Sequence, residues 1–223
     1  MRGKVLKQSH GDQILDGHLG GCSIGGDGGT YYPSMWEHVV DTLDIKSVLD
    51  IGCGVGYASA YFQSLGCSIK GIDGSEKVKE NSIIKEHLVI NDYEKQSALG
   101  KFDTGKKSFN ERYDLCWSCE FVEHVHPSKV DNFLIDMSAC KYVMFTYASR
   151  GQGGHNHVNE NSQEYWVHQM QRYGYIFDRE FTRELRSKAF EDMIDRQKLV
   201  EQGKALPFTP HFTERGLFFS KAE

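Results

Sequence analysis

The run VLDIGCGVGYASAYF, residues 48–62, constrains the fold more than any other stretch of this chain. VLDI reads as a buried strand, being short, apolar and closed at once by glycine. Glycines recur at Gly52, Gly54 and Gly56. Residues 57–65 then put Ala58, Tyr61, Phe62 and Leu65 on one helical face. A strand that enters a helix through a glycine turn opens a parallel α/β sheet. Ligands of such sheets lie outside the carboxyl ends of the strands.

The rest of the chain repeats the alternation. Further strands are expected at 68–73, 87–91, 113–118, 142–147, 175–181 and 216–220, which makes seven with 48–51. Helices are expected at 76–85, from Pro127 onward, at 162–173 and over a charged stretch from about 182 to 202. Pro127 suits a first helical turn. The face of that helix is Val130, Phe133, Leu134 and Met137. Ser162 is placed as an N-cap. Residues 101–112 are polar, contain Gly105 and read as a loop or small insertion. The 223 residues suit one domain, since about 100–200 make one.

Charge and composition narrow the class. With 26 basic and 31 acidic residues the net charge is -5, so bulk electrostatics favour no nucleic acid. No apolar run approaches the roughly 18–20 residues of a membrane span. The opening MRGKVLKQSHGDQ lacks the apolar centre of a secretory leader. Six scattered cysteines read as reduced thiols in a cytosol-like compartment. Cys116 and Cys119 form a CxxC inside an expected strand and read as packing residues, with a redox pair as the alternative.

The glycine loop is not a dinucleotide fingerprint, because Tyr57 stands where the third glycine would be. No Gly-Lys-Ser/Thr follows to make a phosphate loop. Instead Asp50 sits within the motif, a poor neighbour for pyrophosphate and a good one for a cation or an amine. Asp73 ends the second strand, where a carboxylate can accept two ribose hydroxyls. Asn91, Asp92 and Tyr93 end the third, within reach of an adenine edge. An adenosyl group with a cationic amino-acid tail fits all three places. A tight turn with no ligand is the alternative for the glycines, and a solvated turn residue for Asp73.

On VLDIGCGVG, GIDGS, INDY and YDLCWSCEFVEHV, residues 47–149 resemble the class I S-adenosylmethionine-dependent methyltransferases. The resemblance implies a Rossmann-like α/β fold, a mostly parallel seven-stranded sheet with helices on both faces. It implies that Gly52, Cys53, Gly54 and Gly56 line the methionine end and that Asp73 with Gly74 holds the ribose. By the same likeness Asp92 and Tyr93 flank the adenine, and Ser118, Cys119 and Glu120 lie beside the sulfonium. Within the single domain 1–223, residues 1–46 would be an N-terminal lid and helix, 47–149 the cofactor core, and 150–223 the substrate loop and last strands. In the lid, Tyr31 and Tyr32 are placed over the cofactor, while Trp36, Val39, Val40 and Leu43 form a helix face on the sheet.

Methyl transfer is an in-line displacement, so the enzyme must align a nucleophile and take the proton of a hydroxyl. The spacing E-x-x-E-H puts Glu120 on one helical face with Glu123 or His124. The group could be a general base or, through two carboxylates and an imidazole, hold magnesium or manganese. Glu123 is open to base, metal and structural roles. The same spacing looks like that of quinone-pathway O-methyltransferases. In GQGGHNHVNEN, residues 151–161, His155, His157 and Asn159 alternate and would share one side of an extended segment. They could bind a polyhydroxylated substrate or supply the base. A solvated loop without function is the alternative.

TYYPxxW, SCEFVEHV and GQGGHxHVN also resemble small methyltransferases of viruses and bacteria, some tied to glycan assembly and some lying beside glycosyltransferases in algal viruses. That likeness implies O-methylation of a sugar or oligosaccharide, for instance a deoxysugar such as rhamnose. It also implies a cytoplasmic protein (host cytoplasm if viral) that could be one domain of a larger glycosyltransferase chain. A phenolic or other small-metabolite acceptor, and a non-catalytic cofactor-binding scaffold, are the competing readings.

Overall fold

The computed structural model describes residues 13–99, 112–204 and 209–222. The loop expected at 101–112 lies, except for Arg112, outside the described residues, as does all but Gln13 of the opening segment. In chain order the elements are β1 (Gln13–Leu15), β2 (Gly21–Ser23), α1 (Pro33–Leu43), β3 (Ser47–Ile51), α2 (Tyr57–Ser64), β4 (Ser68–Asp73), α3 (Val78–Asn81) and β5 (Leu88–Ile90). There follow β6 (Tyr113–Ser118), α4 (Val130–Met137), β7 (Cys140–Phe145), α5 (Gln163–Gln171), β8 (Tyr175–Phe177), α6 (Arg179–Glu201), α7 (His211–Arg215) and β9 (Leu217–Lys221).

Seven strands form one sheet in the order β5-β4-β3-β6-β7-β9-β8. The pairs from β5 to β7 are parallel, and β9 runs antiparallel to both β7 and β8. The order reverses between β3 and β6, and ligands of open α/β sheets collect at such a switch point. Helices cover both faces because central strands bury both sets of side chains. On β6, Cys116 joins one apolar cluster with Phe133, Leu134 and Trp166. Its neighbours Leu115 and Trp117 join the other, with Trp36, Phe62 and Phe212. The expected faces Val130/Phe133/Leu134/Met137 and Trp36/Val39 are buried.

Several boundaries moved. The strand expected at 175–181 stops at Phe177, because Asp178 caps α6 by accepting the Phe181 N–H at 2.9 Å. The helix expected at 76–85 shrinks to one turn, since Ser82 turns extended and the Ile83 N–H bonds the Val55 carbonyl. The strand expected at 142–147 begins at Cys140 and ends at Phe145. All six cysteines are free, and Cys116 is fully buried. Among the described residues no helix is long and apolar enough to cross a membrane.

Candidate active site

A cavity of about 570 Å³ opens at the carboxyl ends of β3, β4 and β6. Its floor is the glycine loop. Gly52, Gly54 and Gly56 all have positive φ, at 74°, 52° and 98°. A Cβ on Gly56 would fall 2.4 Å from Ile84, and one on Gly52 would fall 2.7 Å from Phe121. Only glycine takes this path without strain or collision. Cys53 lies between them on the same wall.

Three carboxylates mark the ends of the first three sheet strands. Asp50 is 2 % exposed and accepts the Ser59 hydroxyl at 2.6 Å. Burial, reinforced by Asp73, pushes its pKa up to about 7. Asp73 accepts the N–H groups of Gly54 and Ser75, each at 2.9 Å, and burial raises its pKa. A carboxylate has about four acceptor sites, so Asp73 keeps capacity for a further donor. Gly74, beside it, also lines the cavity. Asp92 takes the Glu94 N–H, His18 at 2.9 Å and Lys95 at 3.0 Å. Burial opposes its ionisation, but these donors hold its pKa below the usual range. Tyr93 lines the cavity while its buried hydroxyl donates to Asp136 at 2.8 Å.

The expected helix through Glu120, Glu123 and His124 does not form. Residues 122–124 make one 3-10 turn, and Glu120 has a left-handed φ of 52°. A bulky residue is rarely held there. The three side chains therefore do not share one helix face: Glu123 stays near both Glu120 and His124, but only His124 joins it in a compact group. Glu120 faces the cavity, accepts the Thr146 hydroxyl at 2.9 Å and pairs with Nδ1 of His211 at 2.8 Å. Burial would raise its pKa, but His211 and Thr146 outweigh it and hold the carboxylate below its ordinary value. Glu123 is fully buried, off the cavity wall, with no donor in good hydrogen-bond geometry and the Glu120 carboxyl beside it. Burial and the charge of Glu120 push its pKa well up. His124 lines the cavity with Nδ1 3.2 Å from the Asn156 carbonyl, and burial lowers its pKa.

The loop after β7 brings His155 and His157 to the cavity, but the alternation expected through Asn159 is broken. A turn with Asn156 at φ 55° reverses the chain. Asn159 is 1 % exposed and donates to the Val125 carbonyl at 3.0 Å, so it braces the 122–124 turn. Glu160 gathers the loop by accepting the N–H groups of Gly151 and Gly153 and standing 3.3 Å from Nδ1 of His157.

Tyr31 and Cys119 lie on the wall. Ser118 does not; it is buried and donates to the Ile51 carbonyl. Tyr32 is not a lid. It is 2 % exposed and receives the Phe212 N–H. Three features escaped the sequence reading. The β1–β2 hairpin roofs the cavity with Leu19, Gly20 and Cys22. Asp27 lines it as well. His211, from the five-residue α7, reaches Glu120 across 91 positions of sequence. Elements of three to five residues carry no readable periodicity, so only an isolated histidine near Pro210 was on view.

The model of a family described as "Methyltransferase domain" matches residues 41–197. No curated protein matches the sequence. Among solved structures, the chain is similar to magnesium protoporphyrin IX methyltransferase of Synechocystis with bound SAM (TM-score 0.51, 13 % identity, 85 % of this chain, 79 % of that chain). It is similar also to Burkholderia thailandensis 1,6-didemethyltoxoflavin-N1-methyltransferase (0.51, 11 %, 85 % and 77 %). Phospholethanolamine N-methyltransferase 2 of Haemonchus contortus matches at 0.50 with 14 % identity over 84 % of this chain and 52 % of that one. At such identities the likeness is one of fold. The family match covers most of the chain, so this chain belongs to the methyltransferase-domain family.

Proposed function

We propose that the chain methylates a hydroxyl of a neutral sugar or glycan, with Glu120 accepting the hydroxyl proton. The observation that carries this reading is the chemistry of the wall. Among the described residues lining the cavity there is no lysine or arginine, whereas Asp27, Glu120, His124, His155 and His157 are all there. Carboxylates and imidazoles accept hydrogen bonds from hydroxyls and give a phosphate no fixed positive charge. A hydroxyl-rich acceptor matches this wall, and a nucleic acid backbone does not.

The cofactor supplies an electrophilic methyl on a sulfonium. The residues around it fit that group: a glycine floor that side chains would fill, Asp50 for an amine and Asp73 with spare acceptor sites. The chain's own task is to hold the acceptor oxygen in line and remove its proton. Glu120 stays a carboxylate near neutral pH and so can take it. Nε2 of His211 stands 3.8 Å from the half-exposed Asp27, so His211 links Glu120 to a carboxylate at the solvent side. The glycan-linked viral and bacterial resemblance agrees with this reading, including a place in a longer glycosyltransferase chain and in the cytoplasm. A phenolic acceptor is the second reading, favoured by Tyr31, Phe121 and Trp117 on the wall.

Mass spectrometry of products from neutral deoxyhexoses, sugar phosphates and phenols tests it. The expected product is a methyl ether of a neutral sugar. Glu120→Gln should lower kcat by about 10²–10⁴-fold, the usual contribution of a general base. Turnover of phenols alone would replace the sugar reading, and an unaffected kcat would remove Glu120 from the role.

A further inference from the structure

The cation set suggested by E-x-x-E-H spacing is not assembled, because Glu120 is drawn to His211 and Thr146. A different set is. One ligand atom from each of Glu123, His124 and His157 lies within 4.8 Å of the others. We infer that Glu123, His124 and His157 form a site for one divalent transition-metal ion such as zinc, manganese or cobalt. Three observations support it independently of one another.

The first is the donor set. Two imidazoles and one carboxylate suit first-row transition metals, whereas magnesium and calcium prefer oxygen. Ligands about 2.1 Å from a common ion stand roughly 3–4 Å apart, so small side-chain rotations close the group. The second is the orientation of the imidazoles. Nδ1 of His124 faces the Asn156 carbonyl at 3.2 Å, and Nδ1 of His157 faces Glu160 at 3.3 Å. Metal-binding histidines commonly give their second nitrogen to a carbonyl or carboxylate, which fixes the ring and leaves the other lone pair for the ion. Here the contacts occupy Nδ1 of each ring, and Nε2 is the nitrogen that carries neither of them. The third is Glu123 itself. It is fully buried, and its oxygens meet no donor in good hydrogen-bond geometry, only its own N–H and the Glu120 carboxyl standing near. A buried carboxyl is normally paired or bound to a metal. Its backbone is fixed as well: its carbonyl accepts the N–H groups of both Val158 and Asn159, which ties the Glu123–His124 turn to the His157 loop. His124 and His157 line the cavity, so an ion can enter from that side.

The inference is independent of which acceptor is methylated. Its test uses the full chain, stripped with chelator and without cofactor or acceptor. Titration calorimetry with Zn²⁺ and Mn²⁺ should find one ion per chain, and Co²⁺ should show visible ligand-field absorption. His157→Ala, in a partly exposed loop, should weaken the affinity at least about tenfold, and so should Glu123→Gln. Glu160→Gln should weaken it by about tenfold, as loss of a partner behind a ligand does. Glu120→Gln, which removes a neighbouring charge and no ligand, should not weaken it as the ligand variants do. Melting curves of the ion-free variants check that each is folded. Absence of stoichiometric binding overturns the site, as does an affinity that survives His157→Ala. Equal loss in Glu120→Gln would overturn this set in favour of Glu120, Glu123 and His124.

Discussion

Asp50 is a buried carboxyl on the cavity wall, and its charge is set by what lies beside it. Burial and Asp73 hold its pKa at about 7 in the free protein, against a bond from Ser59 that lowers it. An ammonium beside it would favour the carboxylate. Below pH 7 the ligand must therefore displace a proton, and its affinity should fall by about tenfold per unit as pH drops from 7 towards 5.5. Above about pH 8 the amino-acid amine of the ligand loses its own charge. Calorimetric affinity for S-adenosylhomocysteine across this range measures the effect, and Asp50→Asn should flatten it. The sign for stability is the opposite. A carboxyl with a raised folded pKa holds its proton longer folded than unfolded. Its contribution to stability thus declines as pH rises from about 4 to about 7, and is level above. A profile for Asp50→Asn with the same slope as wild type would show that another group sets it.

Among the helices, α6 does more than cover the sheet. α1 begins at Pro33 with no side-chain cap from Tyr32, so its first N–H groups need acceptors from elsewhere. Asp192 of α6 supplies both, accepting Ser34 N–H at 3.0 Å and Met35 N–H at 3.1 Å. Burial raises the Asp192 pKa while these bonds lower it. α1 in turn places Trp36 against Phe62 and Trp117, at 5.3 and 5.5 Å between ring centres. Asp192→Ala should cost about 0.5–2 kcal/mol, the usual value of a lost cap. The shift of the urea midpoint at constant slope measures it. A loss below that range would mean that water replaces the carboxylate.

The molecule as a whole closes its cavity with the N-terminal hairpin, which contacts the loops that follow β3, β4, β5 and β6. Leu19 packs where a Gly74 side chain would be, and a Cβ on Gly20 would come within 2.8 Å of the His124 ring. Nε2 of His18 bonds Asp92, the Ser75 hydroxyl donates to Asp16 at 2.6 Å, and Asn156 donates to the His18 carbonyl. The Asp73–Asp92 end of the cavity and the His155–His157 loop are thus joined through one short ribbon. Its apolar anchor is small: buried Ile14 with Val55 and Val78. Deleting residues 1–26 should leave the circular dichroism spectrum near that of the full chain and speed cofactor release at least about tenfold, a change of 1.4 kcal/mol. Stopped-flow displacement of bound S-adenosylhomocysteine gives the rate. An unchanged rate would show that the ribbon does not retain the ligand.

Local pattern was enough for the sheet and for its glycine floor. Val48–Ile51 with Gly52, Gly54 and Gly56 can only be a strand turning through positive φ into a helix, because chain geometry within fifteen residues dictates it. Asp50, Asp73 and Asp92 were legible for the same reason, each standing where a parallel strand ends. The Glu120–His124 end of the cavity was not legible, since its geometry depends on groups far apart in sequence. Periodicity put Glu120 on one helix face with Glu123 or His124; the bonds of Asn159 beside the turn and the pairing of His211 with Glu120 replace that helix by a 3-10 turn. The same long-range packing turned Tyr32 into the core and brought His157 to Glu123. Spacing along a chain encodes which face of its own element a side chain occupies. Which side chains meet across elements is settled by packing, and here packing decided which residues share the site.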